Sequence, residues 1–258
     1  MLNIIKADLF RIFRGKGIYV TIIIFLFIIV MQTLLGHLGQ IGIFGTAPDE
    51  IPEPFTGYSA PFEVANTTDN LIWFTLPIIV FIAAADFTGG AMKNSFAGGV
   101  GRVEYYFAKL VLSGISLVIM LMLYITLPII IASAVYGFGG EFNLMFIGSI
   151  LKICLPQFLL AFVFVSVGIF LSLTFKKSAI LCVIYFAFAF YPVIIAQMLI
   201  SKFPNLLNYD LISNMKAHAS PGGIFGEPDI IRTILLSCGF ILTSIIGGIL
   251  LFRKAEIK

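Results

Sequence analysis

Long apolar runs dominate the chain and set its predicted elements. A helix needs about 20 apolar residues to cross the hydrocarbon core of a bilayer. Runs of that character occupy 18–38, 70–85, 109–136, 153–174, 178–200 and 230–252, which predicts six transmembrane helices. The second run is the shortest, and Asp69 and Asn70 stand where they can cap its outer end. Apolar residues before the fourth begin at Phe142 but are interrupted by Lys152, so 142–151 reads as a separate short segment at the outer surface. Between the runs, 39–69 contains Pro48, Pro52, Pro54 and Pro61, and 201–229 contains Pro204, Pro221, Gly222, Gly223 and Pro228. Such residues argue against long helices, and both stretches read as outer loops. The inner connections are 86–108 and a tight turn at Lys176 and Lys177. The expected fold class is an all-α integral membrane protein in one transmembrane domain, with no internal repeat.

The segment ahead of the first run, 1–17, has a different pattern. Leu2, Ile5, Leu9, Ile12 and Phe13 recur at helical spacing, while Asn3, Lys6, Asp8, Arg11 and Arg14 fall largely elsewhere and Phe10 spoils the pattern slightly. A helix of this kind lies in the membrane interface with its basic side toward anionic headgroups of membrane lipids. Gly15 and Gly17 permit a sharp bend into the first span. The competing reading is a charged flank that only directs insertion. The first run is too long for the core of a signal peptide and no small-x-small cleavage site follows, so it reads as a retained span.

Charge then orients the bundle. One side carries twelve of the sixteen basic residues against four acids, the other four basic residues against nine acids. Lysine and arginine favour the cytoplasmic side, which places both termini there. With 60% hydrophobic and 11% charged residues and a mean hydropathy of +1.07, the chain has too little charge to coat a soluble domain of 258 residues. The net charge of +3 with no basic cluster gives no nucleic-acid footprint. Cys154, Cys182 and Cys238 lie in apolar runs without metal spacing and read as small buried side chains. His37 and His218 fall at the outer surface, also without ligand spacing, and are expected to be solvated.

The inner connection reads DFTGGAMKNSFAGGVGRVEYYFAK from Asp86 to Lys109. Two glycine pairs bracket AMKNSFA, long enough for about two helical turns. Met92 and Phe96 are four apart and share a face of such a helix. An exposed Met/Phe face suits a groove on a cytoplasmic partner; an ordinary solvated loop is the alternative.

An amphipathic N-terminal helix, six spans and a loop of the form acid–x2–GG–x2–KN–x7–R–x6–K together resemble the permease subunit of ABC-2-type transporters. The closing GGILLFRKAEIK is similar to that family's usual end. Asp86, Gly90, Lys93, Asn94, Arg102 and Lys109 stand where such permeases often have an acid, Gly, Lys, Asn, Arg and Lys; Asp86 replaces the commoner Glu, and Ala91 and Gly101 a commoner Ser or Thr. The resemblance implies that 1–17 is an elbow helix lying on the membrane. It implies that 86–108 holds a coupling helix docking on a separate ATP-binding cassette ATPase, with Asp86, Gly90, Met92, Lys93, Asn94, Phe96, Arg102 and Lys109 at that interface. It further implies pairing with a second permease copy or a related permease. ATP and Mg would belong to the partner, since this chain has no GxxxxGK[ST] loop of its own and no cofactor of its own is expected.

The spans carry Pro77, Pro128, Pro156 and Pro192, which serve either as flexing points or as static kinks. Span six has small residues at Gly239, Thr243 and Gly247, and at Ser244 and Gly248, four-residue steps that permit close helix contact within or between subunits. No charge lies in the middle of a span, which disfavours an ion-coupled carrier. Buried Glu/His clusters or a Ser–His pair, which an intramembrane protease would need, are missing from the runs. A non-transporting scaffold is the remaining competitor, separable by whether an ATPase co-purifies. The expected location is a bacterial plasma membrane. An uncharged lumen suits amphipathic or lipid-like cargo, and size and composition are most similar to permeases of bacteriocin immunity and peptide-antibiotic resistance. Drugs, ions or glycans are cargoes of other members.

Overall fold

The computed structural model describes residues 2–40, 55–88, 91–175, 177–199, 202–219 and 228–254. Pro48, Pro52, Pro54, Gly89, Gly90, Lys176, Pro221 to Gly223 and the closing residues 255–258 lie outside the described residues. The described residues are helical, with no strand among them. α1 (Leu2–Arg14) leads through Gly15 into α2 (Lys16–Gln40). α3 (Ala60–Ala65) is short, and a composite helix follows: a 3-10 turn (Thr68–Asn70), α4 (Leu71–Ile79), a π turn (Val80–Ala84) and α5 (Ala85–Thr88). Then come α6 (Ala91–Ala97), α7 (Arg102–Tyr136), α8 (Leu144–Thr174), α9 (Ser178–Leu199), a 3-10 helix (Pro204–Tyr209), α10 (Leu211–Ala219) and α11 (Ile230–Lys254).

α2, α7, α8, α9 and α11 are each long and apolar enough to cross a membrane, and the composite helix is a shorter apolar one. By the length and apolarity of these helices the chain is a multi-pass membrane protein. The composite helix carries Pro77, whose ring nitrogen offers no hydrogen to the preceding turn. The π turn begins three residues later, so this helix is wound irregularly. α7 and α8 run unbroken past Pro128 and Pro156, and α9 past Pro192.

Two boundaries differ from the sequence expectation. The seven residues 102–108, expected in the inner loop, are the first turns of α7, which starts at Gly101 as its cap. Within 142–151, expected as a short surface segment leading into the fourth span, residues 144–151 are the first turns of α8 itself. Asn143 caps that helix by accepting the Phe146 amide at 2.9 Å. Lys152 lies on an exposed side of α8, where a long stem can carry its charge outward without breaking the helix.

α8 is the hub, packed against α4, α7, α9, α10 and α11. Its residues Leu160, Ala161, Val163, Phe164, Val165 and Ile169 are buried. Lipid tails are as apolar as these side chains, so close packing rather than exclusion of water must hold such helices together. α11 supplies small residues for it: Thr233, Ser237, Ser244 and Gly248 are buried along one side. A Cβ on Gly248 would lie 2.6 Å from Tyr106 Cε2, while one on Gly239 would meet open space. The Ser244/Gly248 step therefore serves contact inside this chain, whereas Gly239 and Thr243 lie outward.

The bundle end opposite α1 is covered by the remaining short elements. Gly137 ends α7 with a φ of +83°, a conformation open to glycine. Its carbonyl accepts the Gly57 amide at 3.0 Å, and Phe138 O accepts the Tyr58 amide at 2.8 Å. Rings of Tyr58, Phe62, Phe138, Phe142 and Phe146 pack around this junction. Within 201–229, expected as an outer loop, α10 is packed into the bundle: Leu211, Ile212, Met215 and Ala217 are buried, and Gln157 Nε2 of α8 donates to Met215 O at 2.7 Å.

His218, expected to be solvated, is half-buried, its Nε2 2.7 Å from Thr233 Oγ1 of α11. Burial, then the nearby Arg232, pulls its pKa below the ordinary histidine range, with Asp229 opposing. The folded state therefore favours neutral histidine, and an unfolded histidine takes up a proton first as pH falls below about 6.5. This part of the stability is complete above that range and is lost below it. Hydrogen exchange in α10, corrected for intrinsic rates, should accelerate between about pH 7.5 and about pH 5. The His218→Gln chain should show a flatter dependence.

Candidate functional site

At the α1 end, four buried or half-buried charges form a closed ring of alternating sign. Asp8 and Arg11 come from α1, Asp86 from α5 and Lys109 from the second turn of α7. Lys109 Nζ lies 2.6 Å from Asp8 Oδ2 and 2.5 Å from Asp86 Oδ2. Arg11 lies 3.2 Å from Asp8 Oδ1 and pairs through Nη1 with Asp86 Oδ1. Tyr105 donates its hydroxyl to Asp86, and its ring lies 4.8 Å from Lys109 Nζ. Asp8, Asp86 and Lys109 are 5%, 2% and 0% exposed. Charges this deep are tolerated only when paired, and here each carboxylate meets two cations and each cation two carboxylates.

Local sequence explains how the ring closes. Asp8 and Arg11 are one turn apart on α1, so both reach the same side. Lys109 and Tyr105 are likewise one turn apart on α7. Asp86 follows the π turn. Such a turn shifts the backbone hydrogen-bond ladder by one residue, and π turns recur at functional sites. Arg11 Nη2 donates to Phe81 O at 3.0 Å and to Ile82 O at 3.3 Å, within that turn. One guanidinium thus pairs with both acids and with two carbonyls of the irregular backbone. Five donors in a planar fork make arginine suited to this, where lysine would not reach.

The ring revises the expectation for α1. Its inward side carries Ile4, Ile5, Asp8, Arg11 and Ile12 rather than an apolar stripe alone. Ile4 is buried, and Ile5 and Ile12 pack against the core. Leu9 and Phe13 of the expected stripe are exposed, as is Phe10, over which Arg14 sits at 5.6 Å. Leu2 lies in helical backbone, and its side chain is outside the described part.

The expected interface residues are also redistributed. α6 forms between the glycine pairs as a seven-residue helix. Its Met92, however, is 5% exposed within this chain's own core, and Phe96 packs on Tyr105 with ring centroids 5.3 Å apart. The Met/Phe face points inward because the apolar core of this chain is its nearest cover. Asp86 and Lys109 are likewise buried, so none of Asp86, Met92 and Lys109 leaves a surface for a partner. Substituting Met92 or Phe96 would report on the fold of this chain. What stays exposed on this edge is Ala97, Gly98, Gly99, Gly101 and Glu104, with Arg102 half-buried. Lys93 and Asn94 lie in the α6 backbone, their side chains outside the described part, and Gly90 lies outside the described residues.

Sequence reasoning named Asp86 and Lys109 but assigned them outward, and it missed Asp8, Arg11 and Tyr105 as members of one cluster. A signal was available: Asp8 is the only acid in a basic α1, one turn before Arg11. No group of three or more His, Cys, Asp or Glu among the described residues could hold a metal ion.

No known family model matches the chain. No curated protein matches it in sequence.

Proposed function

We propose that this chain is the permease subunit of an ATP-driven exporter of the ABC-2 type in a bacterial plasma membrane, and that both its termini are cytoplasmic. On this reading the composite helix is the sixth span, though shorter than the other five. The observation that carries the reading is the convergence of α1 and α6 at one end. Arg11 of α1 is ion-paired to Asp86 on α5, the helix that precedes α6, and Asp8 of α1 to Lys109 in the second turn of α7, the helix that follows it. A push on α6 by an ATPase subunit would be passed through these pairs to α1, to the irregular span and to α7. The docking surface then consists of the exposed Ala97–Gly99 edge with Gly101, Arg102 and Glu104, in place of Met92 and Phe96. A second permease copy or a related one completes the path, and the cargo is amphipathic or lipid-like, antimicrobial peptides included.

The test is affinity purification of the tagged chain from its native membrane, followed by assay of ATP hydrolysis and identification of the co-purifying subunit. An ATP-binding subunit should be recovered. Ala97→Arg, on an exposed position, should cut that recovery by about tenfold or more while the permease stays monodisperse. A chain purified at native abundance without any ATP-binding subunit favours a scaffold and refutes the proposal.

A further inference from the structure

Nothing in the residues of the π turn itself calls for that winding. Val80–Ala84 reads VFIAA, with neither Gly nor Pro and with two alanines, the strongest α-helix former. Pro77 does not account for it either. A proline disturbs the turn ahead of it, through its missing N–H and its clash with the carbonyl four residues back, whereas this turn lies after it. The winding is π all the same: the Ala85 amide donates to Val80 O, five residues back instead of four. A ladder that skips one residue leaves one carbonyl of the turn without an amide, and a buried carbonyl needs a donor.

That donor comes from α1. Arg11 Nη2 reaches Phe81 O at 3.0 Å and Ile82 O at 3.3 Å. The N-terminal part of the chain touches the turn a second time at Gly17 of α2, where a Cβ would lie 2.7 Å from Phe81 Cζ. The groups that hold the extra residue in place therefore lie outside the composite helix. The winding in turn decides which side chain meets Lys109. A π turn is an α-helix with one residue inserted, so the helix beyond it sits one position back from an unbroken α ladder. In an α winding, everything after the turn would advance by about 1.5 Å and rotate by about 100°. Ala85 would take the place of Asp86 opposite Lys109, and Asp86 would leave the ring.

We propose that Val80–Ala84 is a two-register switch set by Arg11. With the guanidinium on the Phe81 and Ile82 carbonyls, the turn is π and Asp86 closes the ion ring. With the guanidinium withdrawn, the turn takes the α winding, Ala85 replaces Asp86, and α5 moves one step toward α6. One guanidinium makes both the carbonyl contacts and the pair with Asp86, so winding and ion ring change together. Packed helices of this kind have discrete arrangements and do not deform continuously, so the change is a step. The switch lies wholly within this chain and stands or falls independently of any ATPase partner.

The test is melting of the full-length chain in detergent, read by fluorescence-detected size exclusion. Arg11→Lys keeps the charge and loses the fork that reaches the carbonyls, and should lower the melting temperature by several degrees. Deleting Ala83 removes the inserted residue while leaving the helix on either side in register. In the chain lacking Ala83, Arg11→Lys should cost little, because no carbonyl is left over. The register is read by exchanging two positions, Ala85→Asp with Asp86→Ala. With Arg11 present this exchange should lower the melting temperature. In the Arg11→Lys chain it should raise it, because the α winding brings position 85 to Lys109. If the chain lacking Ala83 does not fold, the two exchange chains decide. Equal cost of Arg11→Lys with and without Ala83 overturns the proposal, as does an exchange that destabilises both backgrounds.

Discussion

Lys109→Met should leave little folded protein in detergent extracts, because it strands Asp8 and Asp86 with a single cation between them. Lys109 is fully buried and contacts both carboxylates. Removing one partner of a buried ionic group costs about 3–5 kcal/mol, a large share of the total stability of a typical fold. Fluorescence-detected size exclusion after solubilisation, with melting of whatever survives, measures the effect. The decisive comparison is the double variant Asp8→Asn with Lys109→Met, which leaves Arg11 and Asp86 as a neutral pair. It should recover much of the loss, while Asp8→Asn alone leaves an excess cation and should remain destabilised. If the double variant is as damaged as Lys109→Met with no recovery, the four charges do not act as one ring.

Gly248→Leu is the second substitution expected to do large damage, and its mechanism is steric. Tyr106 is fully buried on α7, donates its hydroxyl to Ser244 O at 3.2 Å, and lies where a Cβ on Gly248 would come within 2.6–2.8 Å of three of its atoms. A ring closed in by the core cannot step aside as a flexible chain end would. Overpacking of this kind costs about 1–3 kcal/mol for small additions and more for larger ones. Melting in detergent should fall by several degrees for Gly248→Ala and further for Gly248→Leu. Gly239→Leu, on the same helix but facing open space, should leave the melting temperature nearly unchanged. Equal effects at Gly239 and Gly248 would mean that α11 packs through a different side.

What the sequence determined by itself was the membrane character and the order of the apolar helices, five of which are long enough to cross a membrane. Length and apolarity are local properties, and a bilayer leaves a buried backbone few alternatives to helix. The two glycine pairs around AMKNSFA likewise predicted α6 correctly as a short helix, since helix termination is local chemistry. The start of α8 was misjudged because Lys152 reads as an interruption along the chain, yet in three dimensions it merely needs an exposed side of a helix already capped by Asn143. Only the tertiary structure decided which way side chains face. Met92 and Phe96 make an apolar face at the right spacing for a partner's groove, and periodicity carries no information on whether that groove belongs to another subunit or to this chain. Asp8, Arg11, Asp86 and Lys109 are up to 101 residues apart. Their ring exists because helix packing brings three elements together and buries Asp8, Asp86 and Lys109, with Arg11 half-buried beside them, and pairing offsets the cost of taking those charges out of water.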